Sequence, residues 1–372
     1  MELTVGTMQS PISSPTALAE SPVAGPEKRN LLGAVGRKAQ LLLILCVAVG
    51  LAAAVDQFLA HWLRIPITGA FYRRIGPEKG PQVFLAGSSL LQSGISWSDI
   101  AETLGQGVEV WTVAGSSPLE WEASQTLATN SNLTIVGVSA YDLNEYHLCD
   151  STPDIVPVTR AIKDLWDSRS SWQFSKRLLS QYPLAYIRKL FPTAGKSDAV
   201  LVGLRRRARE IFRLSSAADD RAIVAVTPTQ PVLSFGEDNQ KVSEWPQSKT
   251  LRRVALMRSH FQGVHAFDGP KKRALFRIMQ RAQGTGKVIV VVQPVAPTYA
   301  REFMTPQVRR NFEKVVAEAQ STFSQAQFVR LDKVGALDSD DYYSDLVHRN
   351  SGGRRISTEV FLKELKQHLA AK

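Results

Sequence analysis

The chain has 372 residues, of which 44% are hydrophobic and 21% charged, a composition typical of a globular protein with one large domain or two modest ones. Lysine and arginine outnumber aspartate and glutamate by 45 to 34, and the net charge of +11 favours anionic partners. The sequence contains no zinc-finger spacing and no RNP-like aromatic signature, so we expect no nucleic-acid partner. Cys46 and Cys149 cannot form a disulfide framework or a metal cluster, and we expect neither a metal nor a cofactor.

The N-terminal region predicts a tail followed by a membrane anchor. Residues 1–38 are rich in serine, proline, glycine and alanine, which predicts a disordered tail. Residues 39–63 are apolar enough and long enough to span a bilayer core of about 30 Å. Basic residues precede this stretch and Trp62 suits the opposite interface, so the positive-inside rule places the tail in the cytoplasm and everything after residue 63 outside it.

Two alternatives to an uncleaved anchor stay open. The Ala52-Ala53-Ala54 sequence resembles a signal-peptidase site, so the segment can be a cleaved signal peptide. The same apolar stretch can also be a buried core helix. We favour the uncleaved anchor because the preceding tail is long for a signal peptide.

The rest of the chain predicts an α/β fold. Near-continuous valine, isoleucine and leucine runs are typical of strands buried on both faces. Such runs occur at residues 81–87, 107–115, 133–141, 287–297 and 326–332. Helix patterns lie between several of them, at residues 98–104, 119–129 and 306–323. The alternation predicts a parallel sheet of about five strands, covered on both sides by helices in a three-layer arrangement.

Residues 150–286 interrupt this alternation and predict a helical insertion that is basic and dotted with aromatic residues. The run Arg205-Arg206-Arg207-Ala208-Arg209 is either a solvated helix face, which we favour, or a dedicated anion site. The predicted organisation is therefore a tail at 1–38, an anchor at 39–63 and a globular domain at 75–372 that carries the insertion.

Polar residues follow each predicted strand, at the sheet edge where open α/β sheets bind ligands. In chain order they are Gly87-Ser88-Ser89, Gly115-Ser116-Ser117, Tyr141, Asp142 and Asn144, Thr298 and Tyr299, and Asp345 and His348. A Gly-Ser-Ser sequence after a strand is by itself more often a turn with a helix N-cap than a nucleophile. Together, however, a serine, an aspartate and a histidine on one rim are the components of a nucleophilic triad.

The spacing of Asp345 and His348 supports this interpretation. The two residues are three positions apart, so one local turn can bring the carboxylate to the imidazole. The carboxylate would orient the ring and stabilise its cation, and the ring would accept the proton of a serine from the first strand.

Two blocks of the sequence resemble the SGNH (GDSL-type) hydrolase superfamily. VFLAGSSL, at residues 83–90, is similar to the first block, with Ser88 in place of the usual aspartate, and SDLVHRNSGG, at residues 344–353, is similar to the last, Asp-x-x-His block. The resemblance covers roughly residues 80–150 and 285–370 in pieces and implies a three-layer, flavodoxin-like fold. VVQPVAPTY before the last block extends the likeness to membrane-anchored extracytoplasmic members that serve polysaccharide and teichoic-acid acylation.

The resemblance assigns roles to matching positions. Ser89 matches the nucleophile, Asp345 the orienting acid and His348 the base. Gly115, or Ala114 through its backbone N–H, matches the oxyanion glycine of the second block. In the third block, usually Gly-x-Asn-Asp, Tyr141 stands where the asparagine belongs and is followed by Asp142. Asn144 is a possible substitute for the missing amide donor.

The implied function is a serine acyl-transfer enzyme of the bacterial inner membrane with its catalytic domain on the periplasmic or extracytoplasmic side. Its reaction would be O-acetylation or O-acylation of a cell-surface or secreted polysaccharide, with a multi-span membrane-bound O-acyltransferase as a partner that supplies the acyl group. A carbohydrate esterase or deacetylase would use the same residues. A non-catalytic glycan-binding or scaffold subunit is the alternative that Tyr141 and the basic insertion favour.

Overall fold

The computed structural model describes residues 28–63, 72–75, 82–112, 115–125, 131–149, 152–193, most of 200–208, 239–261 and 264–370. The chain divides into two compact units, Met1–Asp56 and Gln57–Lys372. The first unit contains most of one long helix, and the second contains the sheet and the remaining helices.

Helix α1 spans Lys28–Trp62 and contains the apolar stretch Ala39–Trp62. The 24 residues of that stretch rise about 36 Å at 1.5 Å per residue, more than a hydrocarbon core of about 30 Å. Only 6% of its most apolar window is buried, whereas the core helix of a soluble protein is mostly buried. A signal sequence shares this length and composition. The helix starts at Lys28, so the predicted disordered tail is too long by residues 28–38, and residues 1–27 lie outside the described part of the chain.

One six-stranded sheet forms the centre of the second unit, in the order β1-β3-β2-β4-β5-β6. The strands are β1 Tyr72–Ile75, β2 Gln82–Gly87, β3 Gly107–Thr112, β4 Ser131–Val138, β5 Lys287–Val292 and β6 Gln327–Arg330. Strands β2 to β6 pair in parallel, which confirms the predicted five-stranded sheet. Strand β1 is an additional, antiparallel edge strand on β3, and its four residues, Tyr-Arg-Arg-Ile, are too few to show a strand pattern in sequence.

Helices follow most strands. Their bounds are α2 Ser89–Gly94, α3 Trp97–Leu104, α4 Pro118–Gln125, α5 Ala140–Leu143, α6 Thr152–Ile155, α7 Val158–Asp167, α8 Trp172–Leu179, α9 Gln181–Leu190, α10 Gln247–His260, α11 Pro270–Thr285, α12 Pro297–Phe303, α13 Pro306–Thr322 and α14 Ser351–Ala370. The helices predicted at 98–104, 119–129 and 306–323 correspond to α3, α4 and α13, with residues 126–130 outside the described part.

Alternate strand residues fill two separate cores, one on each face of the sheet. Phe84 and Val136 belong to the core beneath α11 and α13, whereas Leu85 and Ile135 belong to the core beneath α3 and α14. Since successive side chains of a strand point to opposite faces, strands that are apolar throughout require helices on both sides. The three-layer α/β architecture is therefore confirmed.

The predicted insertion is shorter than residues 150–286. Helix α11 buries Leu275, Ile278 and Met279 in the core against the sheet, so it is a layer helix of the fold that leads into β5. Helices α7 to α9 pack around Phe174, Leu178 and Tyr182 in a cluster that also includes Leu119 of α4 and Ala274 of α11. Residues 209–238 of the insertion lie outside the described part, as do Arg206 and Arg209 of the arginine run.

Candidate active site

Ser89 follows strand β2 and is the first residue of helix α2. Strand β2 ends at Gly87, and the Ser88 hydroxyl oxygen accepts a hydrogen bond from the Leu90 N–H at 3.1 Å. Ser88 is thus an N-cap, and its extended backbone turns the chain from strand to helix. One serine of the first Gly-Ser-Ser sequence therefore caps the helix, while the next places its hydroxyl at the carboxyl end of the sheet.

The structure brings Ser89, His348 and Asp345 together in one hydrogen-bonded chain. His348 Nε2 lies 2.8 Å from Ser89 Oγ, and His348 Nδ1 lies 2.9 Å from Asp345 Oδ2. Because a carboxylate accepts only, Nδ1 carries the ring proton and leaves Nε2 free to accept the serine proton. The arrangement has the geometry of a nucleophile, a base and an orienting acid.

The turn around Asp345 fixes the direction of its carboxylate. Oδ1 accepts hydrogen bonds from the backbone N–H groups of Val347 and His348, both at 2.8 Å, which leaves Oδ2 facing the imidazole. Burial opposes ionisation of Asp345, but the charge of His348 and these hydrogen bonds outweigh it and hold the pKa of the carboxyl well below its usual range. Asp345 is therefore ionised at neutral pH.

A cation that the sequence did not point to lies beside the acid. Arg253 Nη2, from helix α10 of the insertion, lies 3.3 Å from Asp345 Oδ2, the oxygen that also faces His348. The pairing spans 92 residues of sequence, so no local pattern signals it. Arg253 makes the insertion part of the site, and its side chain is 35% exposed.

The loop after β3 contains the second Gly-Ser-Ser sequence. Gly115 has φ +70°, a left-handed conformation that favours glycine. Ser116 and Ser117 have structural partners: Trp121 Nε1 donates to Ser116 Oγ at 2.8 Å, and Ser117 donates through its N–H and its hydroxyl to Glu120 Oε2, both at 2.7 Å. The conformation of Gly115 is compatible with the predicted oxyanion role. Ala114, the alternative, lies outside the described residues.

Tyr141 is linked to this loop through His147. Its ring is 3.9 Å, centroid to centroid, from the ring of His147, whose Cε1 lies 4.0 Å from where a Cβ on Gly115 would stand. Burial, together with the charges of Asp142 and Asp345, raises the pKa of the Tyr141 hydroxyl, while Arg253 opposes the rise. The hydroxyl therefore keeps its proton and is available as a hydrogen-bond donor.

Asp142 and Asn144 are both tied into the fold. Asp142 is fully buried and accepts a hydrogen bond from the Ser139 hydroxyl at 2.9 Å. Burial raises the pKa of Asp142 to about 6, although the hydroxyls of Ser88 and Ser139 oppose the rise. The Asn144 side chain donates to the Val264 carbonyl at 3.0 Å and accepts from the Ala266 N–H at 3.2 Å, so it fastens the third-block loop to the chain before α11.

A buried lysine supports the same loop. Lys271, 1% exposed, donates from Nζ to the backbone carbonyls of Asn144 and His147. Burial and the charge of Lys271 hold the pKa of His147 well below its usual range, so its imidazole is neutral. The His147 side chain is 7% exposed and packs against Tyr141.

The buried guanidinium of Arg349 connects the first and last blocks. It follows His348 directly and donates to Ser357 Oγ at 2.7 Å, to the Leu90 carbonyl at 3.4 Å and to the side-chain oxygen of Gln293. These bonds hold helix α2, strand β5 and helix α14 against the turn that carries the imidazole. Arg349 is therefore a positioning residue: its hydrogen bonds help to set the distance between Ser89 and His348, and it takes no part in the reaction itself.

Comparisons with known proteins return distant structural neighbours only. No family model and no curated protein matches the chain. Two catalytic mutants of an acetylxylan esterase from Geobacillus stearothermophilus are 11% and 12% identical, with TM-scores of 0.36 and 0.35, over 78% of this chain and 95% of theirs. A protein described as a candidate acylhydrolase from Bacteroides fragilis is 10% identical, with a TM-score of 0.34, over 85% of this chain and 95% of its own. Similarity at this level does not place the chain in a family.

Proposed function

We propose that this chain is a serine-dependent acyl-transfer enzyme of SGNH type, anchored by α1 with its globular domain on the extracytoplasmic side. The observation that carries the proposal is the Ser89–His348–Asp345 hydrogen-bonded chain at the carboxyl end of the sheet. The apolar stretch of α1 supports the anchoring. The positive-inside rule supports the orientation.

In the proposed reaction, Ser89 Oγ attacks the carbonyl carbon of an acyl donor while His348 Nε2 accepts the serine proton. Asp345 stabilises the imidazolium that forms and keeps the ring in position. The resulting oxyanion would receive hydrogen bonds from the Ser89 and Gly115 backbone N–H groups. When the tetrahedral intermediate collapses, His348 returns the proton to the leaving group and Ser89 retains the acyl group.

Tyr141 is our candidate for the third oxyanion donor, the role that asparagine has in the superfamily. Its hydroxyl remains protonated, and its ring packs against His147, which in turn lies next to Gly115. Asn144 is the weaker candidate because its amide is bonded to the Val264 carbonyl. Replacement of asparagine by tyrosine therefore does not by itself favour a non-catalytic scaffold.

In the second half of the reaction, a hydroxyl group attacks the acyl-serine and His348 again removes its proton. If that hydroxyl belongs to a sugar, the product is an acylated polysaccharide; if it belongs to water, the protein is an esterase. We favour a cell-surface or secreted polysaccharide as acceptor, because the residue blocks resemble extracytoplasmic acylation proteins. A multi-span acyltransferase would supply the acyl group in that scheme.

The proposal is tested with an activated acetyl ester, in the presence and absence of an oligosaccharide acceptor. The wild-type protein should form an acetyl-enzyme at Ser89 and then an acetylated oligosaccharide, both detectable by mass spectrometry, and Ser89→Ala should form neither. Release of acetate alone would identify an esterase. A folded wild-type protein that neither forms the acetyl-enzyme nor reacts with a fluorophosphonate would contradict an enzymatic function.

A further inference from the structure

Helix α9 of the insertion has an apolar face directed to solvent. Tyr182 and Ala185 are buried in the insertion, whereas Leu184, Ile187 and Leu190 are each 51% exposed. The three exposed residues are spaced three apart, which puts them on one side of the helix. A row of half-exposed aliphatic side chains is costly in water and marks a contact surface.

Further exposed apolar, aromatic and basic residues lie on α9 and on the segment around Arg207, which contacts the end of α1. Leu201 and Leu204 are 52% and 43% exposed, and Tyr186 is 50% exposed. The Lys189 ammonium lies 5.8 Å from the centre of the Tyr186 ring, and Arg205 is exposed beside Leu204. We call Leu184, Tyr186, Ile187, Leu190, Leu201 and Leu204, with the adjacent basic residues, the anchor-side face.

The anchor-side face is joined to the end of α1 by direct contacts within the second unit. Gln57 Nε2 donates to the Lys189 carbonyl at 2.5 Å, at the end of α9. Arg207 Nε donates to the Trp62 carbonyl at 2.7 Å, and its guanidinium lies 5.6 Å from the centre of the Trp62 ring. The end of α1 therefore contacts both the C-terminal end of α9 and the segment around Arg207.

We propose that the anchor-side face lies in the interface of the same bilayer that α1 crosses. An interfacial helix buries its apolar side about 5–10 Å into the boundary between headgroups and acyl chains. Tyrosine and the heads of lysine and arginine suit the headgroup level, and positive charge favours anionic phospholipids. The inference rests on the proposed anchoring by α1 and is independent of the proposed catalysis. Its consequence is a two-point attachment that restricts rotation of the catalytic domain about the end of α1.

The test uses the full-length protein in vesicles of phosphatidylethanolamine and phosphatidylglycerol, with an environment-sensitive fluorophore on single cysteines. In a Cys46→Ser/Cys149→Ala background, Ile187→Cys and Leu184→Cys report on the anchor-side face. Leu251→Cys is the matched control, since Leu251 is 59% exposed on α10, the helix whose Arg253 lies beside Asp345 of the candidate site. Lipids with a nitroxide near the headgroup should remove most of the emission at 187 and 184 and little at 251.

A probe on the native Cys46 separates the two levels of the proposal, because Cys46 is exposed within the apolar stretch of α1. Quenching at Cys46 by nitroxides deep in the bilayer is expected if α1 is inserted. A different result would be quenching at Cys46 together with probes at 187 and 184 that the headgroup nitroxide quenches no more than the probe at 251. It would overturn the interfacial location of the anchor-side face and leave the anchor in place. That result would favour a protein as the occupant of the face. An unquenched Cys46 would overturn the anchor and the inference together. Unchanged melting temperatures establish that the variants are folded.

Discussion

Replacement of Asp345 by asparagine should abolish activity without unfolding the protein, for a reason that the local geometry supplies. Asp345 Oδ1 accepts two backbone N–H groups at 2.8 Å, so the side-chain oxygen of asparagine must take that place. Its NH₂ group then faces His348 Nδ1, 2.9 Å away in the wild type. Because the NH₂ group donates, Nδ1 must accept, and the ring proton moves to Nε2.

The relocated proton points at Ser89 Oγ, so the imidazole can no longer accept the serine proton. In serine proteases the equivalent replacement lowers kcat by about 10⁴ through the wrong tautomer, and we expect a loss of that order here. Arg253 should add to the effect, since its guanidinium would face an NH₂ group in place of a carboxylate. The two backbone hydrogen bonds persist, so the variant should still fold, but loss of the ionised carboxylate beside His348 and Arg253 should lower its free energy of unfolding near neutral pH.

The assay is hydrolysis of a chromogenic acetyl ester, together with urea denaturation of the same samples. The matched variant is Asp345→Ala, which removes the acceptor of both backbone N–H groups and should be less stable than Asp345→Asn by roughly 1–3 kcal/mol. Asp345→Ala allows either tautomer, so we expect its activity to be no lower than that of Asp345→Asn. An Asp345→Asn protein with near wild-type kcat would refute the tautomer argument.

Three further predictions concern the oxyanion site, a buried carboxyl and the topology. If its hydroxyl stabilises the oxyanion, Tyr141→Phe should lower kcat by about 10²–10³ with little change in KM. Tyr146→Phe is the control, because it removes a hydroxyl that is bonded to Ser171, and it should leave kcat unchanged. Equal losses in the two variants would contradict the oxyanion role of Tyr141. In the folded protein Asp142 keeps its proton up to a pKa of about 6, whereas in the unfolded chain it loses the proton near pH 3.9. The free energy of unfolding should therefore fall by about 3 kcal/mol as the pH rises from roughly 4 to 6. Asp142→Asn should remove that part of the pH dependence. Urea denaturation measures it across the same pH range, and an identical pH dependence of wild type and variant would show that the carboxyl is ionised in the folded protein. A reporter that is active only in the periplasm should be active when it is fused after residue 70. Activity of a cytoplasm-dependent reporter at the same position would contradict the proposed topology.

The five parallel strands were predictable because each is buried on both faces and therefore apolar throughout. Strand β5, Lys287–Val292, has five consecutive valine and isoleucine residues after its lysine, a pattern that few other structures produce. Strand β1 escaped prediction since it is an edge strand of four residues, two of them arginine. The length of α1 was underestimated because helix continuation into residues 28–38 has no apolar signature.

The candidate site shows the same division between local and long-range information. Asp345 and His348 are three residues apart, so their contact is a local property of one turn that the sequence displays. Arg253 reaches Asp345 across 92 residues, from an insertion without a recognisable motif. Lys271 belongs to a KKR sequence, which is typical of a solvent-exposed helix face; only the tertiary fold buries it beneath the Asn144 and His147 carbonyls.

The account depends on Ser89 and His348 acting as one catalytic unit, and a double-mutant cycle on acetyl-ester hydrolysis tests this most directly. Ser89→Ala and His348→Ala should each lower kcat by a factor on the order of 10⁶, and the double variant should be little worse than either. Ser117→Ala, which alters a serine bonded to Glu120, is the matched control and should retain activity. Folded Ser89→Ala protein with undiminished activity, or losses that multiply in the double variant, would contradict the shared-proton mechanism.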